Sequence, residues 1–191
     1  NAFIDHFVVE PLAGLSGKLD GGGGDYDHLD YSQWSTPISV NLTNGTNQMG
    51  TVAGIENITG GTAGDALTGN ASGNRIIGGG GADTIDGKAG NNLLIGDTAE
   101  ILPTNGGFLP ILATTASIRT LEDFADNDTI LAGDGNNIIL PGSGDDRVTT
   151  GNGNNFVAGD QVLVTLSGGQ VVAIQSKQTP SGGNDILTVG S

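Results

Sequence analysis

The chain has 191 residues, with 6 basic against 21 acidic side chains for a formal charge of −15, 35 glycines and no cysteine. A polyanion of this kind repels nucleic acid and anionic membrane surfaces, and the lack of cysteine excludes thiol nucleophiles, disulfides and thiolate metal sites. Glycine at this level without a Gly-X-Y period excludes collagen, and aliphatic residues recurring at fixed spacing argue against disorder.

In chain order, the first patterned turn is Gly22–Asp30, with Asp27 at its sixth position, His28 at its seventh and Leu29 at its eighth. His28 is expected at the surface and Trp34 in packing. Residues 36–48 read as strand and turn, with Asn44-Gly45 as a hairpin corner laid onto the first coils. Gly54 to Thr59 gives a further turn, with Glu56 at position six and Ile58 at position eight. From Gly60 a nine-residue unit repeats four times, carrying Asp65, Asn74, Asp83 and Asn92 at position six and Leu67, Ile76, Ile85 and Leu94 at position eight. A second block resumes at Asp126, with Asp128, Asn137, Asp146 and Asn155 at position six and Ile130, Ile139, Val148 and Val157 at position eight.

The spacing has a direct physical reading. Six Gly-rich residues make a wide turn, because glycine accepts positive φ and close backbone approach. Three residues then make a short strand whose middle side chain points inward. Two repeats complete one coil, so the alternation of Asp and Asn collects Asp on one rim and Asn on the other. Both long interruptions leave just after a Gly-Asp pair, at Asp97 and Asp160, and return at Asp128 and Asp185. Each therefore falls inside an Asp-side turn. The Asp rim is expected to hold Asp65, Asp83, Asp128, Asp146 and Asp185, with Asp27 joining it. The opposite rim holds Asn74, Asn92, Asn137 and Asn155, and Glu56 starts it.

These residues resemble the RTX, or haemolysin-type, calcium-binding repeat G-G-x-G-x-D-x-U-x; the best-matching turn is Gly78 to Asp86. The resemblance implies an all-β fold, a right-handed parallel β-roll. It also implies several Ca²⁺ ions bound by stacked position-six carboxylates and by turn carbonyls such as those of Gly60, Thr62, Gly78 and Gly80. Asp97 and Asp160 are candidate ligands at the insert exits. Ca²⁺ needs six to eight hard oxygens, several of them carboxylate. A stack of Asp supplies these, whereas a stack of Asn offers neutral amides that hydrogen-bond along a ladder. Metal is therefore expected on the Asp rim and amide ladders on the Asn rim.

One continuous domain is expected: an opening turn and strand-rich insert over 1–59, a first repeat block over 60–97, an insert over 98–124, a second block over 125–160, a hairpin insert over 161–182 and a continuing turn over 183–191. Outward positions seven and nine are small or polar after Asp-side turns (Ala66, Thr68, Thr84, Asp86, Thr149, Thr188). After Asn-side turns they are mostly apolar (Ile77, Leu93, Ile95, Ile138, Leu140, Phe156). Such an apolar face calls for a cover, which the inserts supply as local lids; in the alternative, part of the face docks another subunit. The repeat still runs at Ile186 to Ser191, which suggests a continuing chain or an end-to-end copy.

The motifs of zinc proteases, serine hydrolases and nucleotide-binding loops are missing, so no enzyme is expected. The function expected is an extracellular, cell-surface structural module, one unit of a larger surface protein, adhesin stalk or filament that folds on Ca²⁺ after type I secretion. The alternative is the calcium-dependent folding and secretion module of an RTX toxin or secreted enzyme. Copies of the chain itself are the candidate partners; no nucleic acid and no membrane insertion are expected.

Overall fold

A computed structural model describes residues 4–11, 17–24, 26–48, 50–103, 116–121, 125–167, 170–176 and 182–190. Among these residues the structure is all β, in three sheets. The first sheet runs β1 (His6–Val8), β3 (His28–Asp30), β7 (Asn57–Thr59), β9 (Arg75–Ile77), β11 (Leu93–Ile95), β15 (Ile138–Leu140), β17 (Phe156–Val157). The second runs β2 (Gly17–Asp20), β6 (Gly50–Ala53), β5 (Thr46–Asn47), β4 (Ser39–Asn41), β8 (Ala66–Thr68), β10 (Thr84–Lys88), β14 (Thr129–Ala132), β16 (Arg147–Thr150), β20 (Ile186–Thr188). The third is antiparallel, in the order β12 (Ala99–Pro103), β13 (Ala116–Thr120), β18 (Val162–Ser167), β19 (Gln170–Ser176).

From β7 onward the chain alternates between the first and second sheets, leaving this winding only for the third sheet. Pairing is parallel and in register throughout the first sheet; the second departs from it where β4, β5 and β6 turn back on one another and at a register shift between Asp86 and Lys88 of β10. The middle residue of every three-residue strand therefore meets its counterpart one coil on. Leu29, Ile58, Ile76, Leu94 and Ile139 line one inner face, and Val40, Leu67, Ile85, Ile130 and Val148 line the other. All ten are at most 2% exposed. At the amino-terminal end Tyr31 and Trp34 join this core edge to face, and the Trp34 indole N–H donates to the Val9 carbonyl at 2.7 Å.

Two expectations need correction here. Asp27 precedes β3, and β3 pairs directly with β7 in the Asn-side sheet. Asp27 therefore stands on the rim of Glu56 and the Asn residues rather than on the Asp rim. The reason is the segment after Trp34: β4 enters the second sheet beside β8, so a whole Asp-side passage lies between Asp27 and Glu56. His28 projects outward from position seven as expected, yet it is buried, stacked on His6 with ring centroids 4.6 Å apart and bonded through Nε2 to Thr59 Oγ1 at 2.9 Å. That burial pushes its imidazole pKa down to about 3.

The outer faces differ as their residues do. Ile77, Leu93, Ile95, Ile138 and Leu140 form a second core with Ile118, Val162, Val164 and Leu166 of the third sheet. The two inserts do not lie down as separate lids. The strand β13 of the first insert pairs with β18 of the second, and the Val162 N–H donates to Thr120 Oγ1, so together they build one covering sheet. Phe108, Leu109, Ile111 and Leu112, further apolar residues of the first insert, lie outside the described residues.

Position eight and outward positions should respond differently to truncation. Ile139→Ala, in the closed core, is expected to cost about 2–5 kcal/mol. Leu131→Ala, on the outer polar face and 42% exposed, should stay within about 0.5 kcal/mol. Denaturant titration in excess Ca²⁺ measures both, and equal losses would contradict this assignment of inner and outer faces.

Candidate metal centre along the Asp rim

Position six carries its backbone N–H into the stack, where only the next coil offers an acceptor. On the Asp side, Ile38 N–H donates to Asp65 Oδ1 at 2.9 Å, Asp65 to Asp83 at 2.7 Å, Asp83 to Asp128 at 2.8 Å, Asp128 to Asp146 at 2.8 Å and Asp146 to Asp185 at 3.1 Å. The opposite rim repeats the device. Asn74 N–H donates to Asn92 Oδ1 at 2.8 Å, Asn92 to Asn137 at 3.0 Å and Asn137 to Asn155 at 3.2 Å, with Asp5 donating to Asp27 and Asp27 to Glu56 ahead of them. The expected amide ladder thus takes a different form: backbone N–H to side-chain oxygen, with a direct amide-to-amide bond from one coil to the next from Asn137 Nδ2 to Asn155 Oδ1.

The two rims part at the second side-chain atom. Asn92 Nδ2 donates to the carbonyls of Lys88 and Gly90, Asn137 Nδ2 to those of Gly133 and Gly135, and Asn155 Nδ2 to those of Gly151 and Gly153. Each amide therefore closes its own turn. An aspartate carries an oxygen in place of that NH₂ group and cannot donate to a carbonyl when ionised. Accordingly Oδ2 of Asp83, Asp128 and Asp146 is buried without a hydrogen-bond partner among the described residues. Asp65 differs, because Gly61 N–H donates to its Oδ2 at 2.7 Å.

The Oδ2 atoms of Asp65, Asp83 and Asp128 face the glycines that open their turns. A Cβ added at Gly78 would overlap Asp83 Oδ2 and the Gly96 carbonyl oxygen. One at Gly96 would overlap Asp128 Oδ2 and the Pro141 carbonyl, and one at Gly60 would meet Asp65 Oδ2 and the Gly78 carbonyl. Each cradle brings a carboxylate oxygen together with a carbonyl from the next coil. Asp27 keeps a similar unpartnered Oδ2 beside Gly21 and the Gly54 carbonyl, on the other rim. Thr62 and Gly80 lie in the same Asp-side turns, their N–H groups donating to the Trp34 and Gly61 carbonyls.

Electrostatics single out the same groups. Burial, reinforced by neighbouring carboxylates, pushes Asp83 up to about 8, Asp128 to about 9 and Asp146 to about 6. Asp65 and Asp185 are raised too, again chiefly by burial. Asp97 adds its field at Asp83 and Asp128, and Asp160 does so at Asp146 and Asp185. Both insert exits therefore bring a carboxylate to the rim. Asp97 also accepts from Ser143 N–H at 2.7 Å and Asp160 from Gly183 N–H at 3.1 Å, which ties each exit to a neighbouring turn. None of the ion pairs among the described residues involves a rim carboxylate. Buried carboxylate oxygens without hydrogen-bond partners, set beside turn carbonyls that keep a second lone pair and with no nitrogen or sulfur donor among them, fit a hard divalent cation such as Ca²⁺.

Filling one cradle tests that fit. Gly96→Ala is expected to weaken Ca²⁺ binding about tenfold or more, since overpacking costs about 1–3 kcal/mol and about 1.4 kcal/mol is a factor of ten. Gly17→Ala, where an added Cβ meets nothing within 4 Å, should leave binding unchanged. Calorimetric titration reads both, and indifference at Gly96 would remove the cradle from the site.

Comparison with known families matches residues 54–96 and 123–157 to the RTX calcium-binding nonapeptide repeat, in four copies. No curated protein matches the chain. The matched residues include every position six from Glu56 to Asn92 and from Asp128 to Asn155, the positions that build the two ladders. The chain is thus an RTX repeat protein over these spans, and the ion its repeats bind is Ca²⁺.

Proposed function

We propose that this calcium-binding structural module acts outside the cell, as one unit of a larger surface protein, adhesin stalk or filament, and closes into a right-handed parallel β-roll when Ca²⁺ fills the Asp rim. The observation that carries the reading is the set of buried, unpartnered Oδ2 atoms of Asp83, Asp128 and Asp146. Those three, with Asp65, Asp185, Asp97, Asp160 and the Gly78 and Gly96 carbonyls, are the groups that would hold the ions. When bound, Ca²⁺ supplies the positive charge that the rim lacks. The parallel return of alternate strands supports the right-handed sense, because strand–crossover–strand connections are almost always right-handed.

Desolvated carboxylates cost several kcal/mol each when unpaired. At cytosolic calcium the rim therefore opposes closure, and at extracellular millimolar calcium mass action favours it. Passage through a type I secretion channel before folding agrees with that balance. No helix among the described residues is long and apolar enough to cross a membrane. A non-enzymatic role follows from the same reading. Raised carboxylate pKa values often mark catalysis, but here they recur coil after coil instead of converging in one cleft.

The test is far-ultraviolet circular dichroism during a Ca²⁺ titration of metal-stripped protein. A transition to β structure at millimolar Ca²⁺ or below is expected. Asp83→Ala should weaken it by about tenfold or more, consistent with about 1.5–3 kcal/mol for interactions of a charged group, and far more than Asn92→Ala, which removes a ladder acceptor but no ligand. A chain that is fully β in excess chelator would refute calcium-driven closure.

The pH dependence without metal has a definite sign. Asp83, Asp128 and Asp146 have folded pKa values above the unfolded value of about 3.9, so the folded state holds protons that the unfolded state releases. That contribution is complete below about pH 4 and is lost as pH rises through the folded values, up to about 9. Thermal melts in metal-stripped buffer should therefore fall in midpoint as pH rises across this window, and added Ca²⁺ should flatten the fall.

A further inference from the structure

The two ends of the roll differ in what they offer. Every ladder rung in the repeat blocks runs one way, from a backbone N–H to the position-six oxygen of the following coil. The last coil therefore presents donors: among the described residues Asn155 and Asp185 accept such a bond but pass none on. The first coil presents an acceptor. Asp5 stands ahead of β1, its N–H donates to Asp27 Oδ1 at 2.7 Å, and its own carboxylate receives no ladder bond among the described residues. The last cradle of the Asp rim is also half built. A Cβ at Gly60, Gly78 or Gly96 would meet an aspartate Oδ2 and a carbonyl oxygen of the following coil, whereas one at Gly159 would meet Asp185 Oδ2 and no described carbonyl within 4 Å. The core is open at the same end. Leu187 continues the inward column of Val148 yet is 51% exposed, where Val148 is 2% exposed.

We propose that a second copy of this chain stacks head to tail on this end, with its β1 and β2 beside β17 and β20, and that the contact completes the Asp185 half-site around Ca²⁺. The inference rests on the calcium reading of the Asp rim. The edges suit it. β1 and β17 are the outer strands of the first sheet and run parallel through it, and β2 and β20 are the outer strands of the second. β2 runs parallel to β6, and two reversals through β5 restore that direction at β4, so β2 and β20 also point the same way. Phe7 of the second copy would then meet Val157, each already packed against its own core, and the Asn155 N–H would meet Asp5 of that copy. Head-to-head contact would set donor against donor and leave both unpaired. A contact between unlike ends does not close on itself and so extends into a filament. Chains of formal charge −15 repel one another, and a cation shared between Asp185 and a carbonyl of the second copy offsets that repulsion at the joint.

Sedimentation velocity of the full chain over a concentration series, in millimolar Ca²⁺ and in excess chelator, tests the contact. Mass should rise with concentration in Ca²⁺ alone. Two variants block one end each. Leu187→Lys charges the open core end. Val8→Pro blocks the outer edge of β1: the Asp5 carbonyl and the Val9 N–H bond β3, so the backbone groups of Val8, the alternate residue, point to the open side, where proline removes a donor. Each variant alone should stay monomeric in Ca²⁺, and a mixture should form a dimer of one with the other that grows no further. Asp185→Asn keeps the oxygen that the Asp146 N–H uses but removes the charge, and should weaken association about tenfold or more. Circular dichroism on the same samples separates this contact from the rim itself. A chain that turns to β structure with Ca²⁺ yet stays monomeric would overturn the stack and leave the calcium rim standing. Association that persists in chelator, or in either end variant alone, would overturn it as well.

Discussion

A wide turn that points a backbone N–H along the axis of a stack must find an acceptor there, and an unpaired buried donor is among the costlier faults a fold can carry. Through both repeat blocks the acceptor is the position-six side chain of the next coil, whereas Glu56 N–H donates to the Asp27 carbonyl. Asp65, Asp83, Asp128 and Asp146 each donate forward to the carboxylate that follows, and Asn74, Asn92 and Asn137 do the same to amides. This bond fixes the separation and register of successive coils. Register in turn puts Ile76 under Leu94 and Ile85 under Ile130, so the inner core depends on it.

Because either Asp or Asn supplies the accepting oxygen, the ladder is indifferent to which one occupies position six. The other side-chain atom distinguishes them. At Asn92, Asn137 and Asn155 the NH₂ group bonds two carbonyls of its own turn and occupies the place where positive charge is wanted. On the Asp rim an oxygen stands in the equivalent place, and the turn is complete only with a cation or a proton. Asn therefore acts as a built-in substitute for the ion. A winding with one Asp rim and one Asn rim has one side permanently closed and the other dependent on its surroundings.

Much of this was legible in the sequence because a nine-residue period fixes both the inward position and the turn position at once. Ile58, Ile76, Leu94 and Ile139 fall in one column by counting alone, and so do the five aspartates, even across inserts that begin after Asp97 and Asp160. Counting fails where the period is broken. Asp27 falls on the wrong rim because the stretch from Pro37 to Ala53 carries no glycine-aspartate signature, yet it supplies a full passage through the second sheet at β4. The burial of His28 was hidden for a related reason. Position seven faces outward everywhere, and only the pairing of β1 with β3, which lies outside any repeat, brings His6 onto it. The joining of the two inserts through β13 and β18 is likewise a contact between segments far apart in sequence, which no local pattern encodes.

That joining also explains why the inserts sit where they do. Both leave from the Asp side directly after an apolar Asn-side strand, at the edges of β11 and β17, so each starts next to the face it covers. The pairing of β13 with β18 lets each strand pair contribute an edge to the other and leaves fewer open edges than two separate lids would. The same departures carry Asp97 and Asp160 to the rim, where Asp97 bonds Ser143 in the following turn. Cover for the apolar face and extra carboxylate for the rim are thus two consequences of one placement. An insert at any other turn position would serve one of them and lose the other.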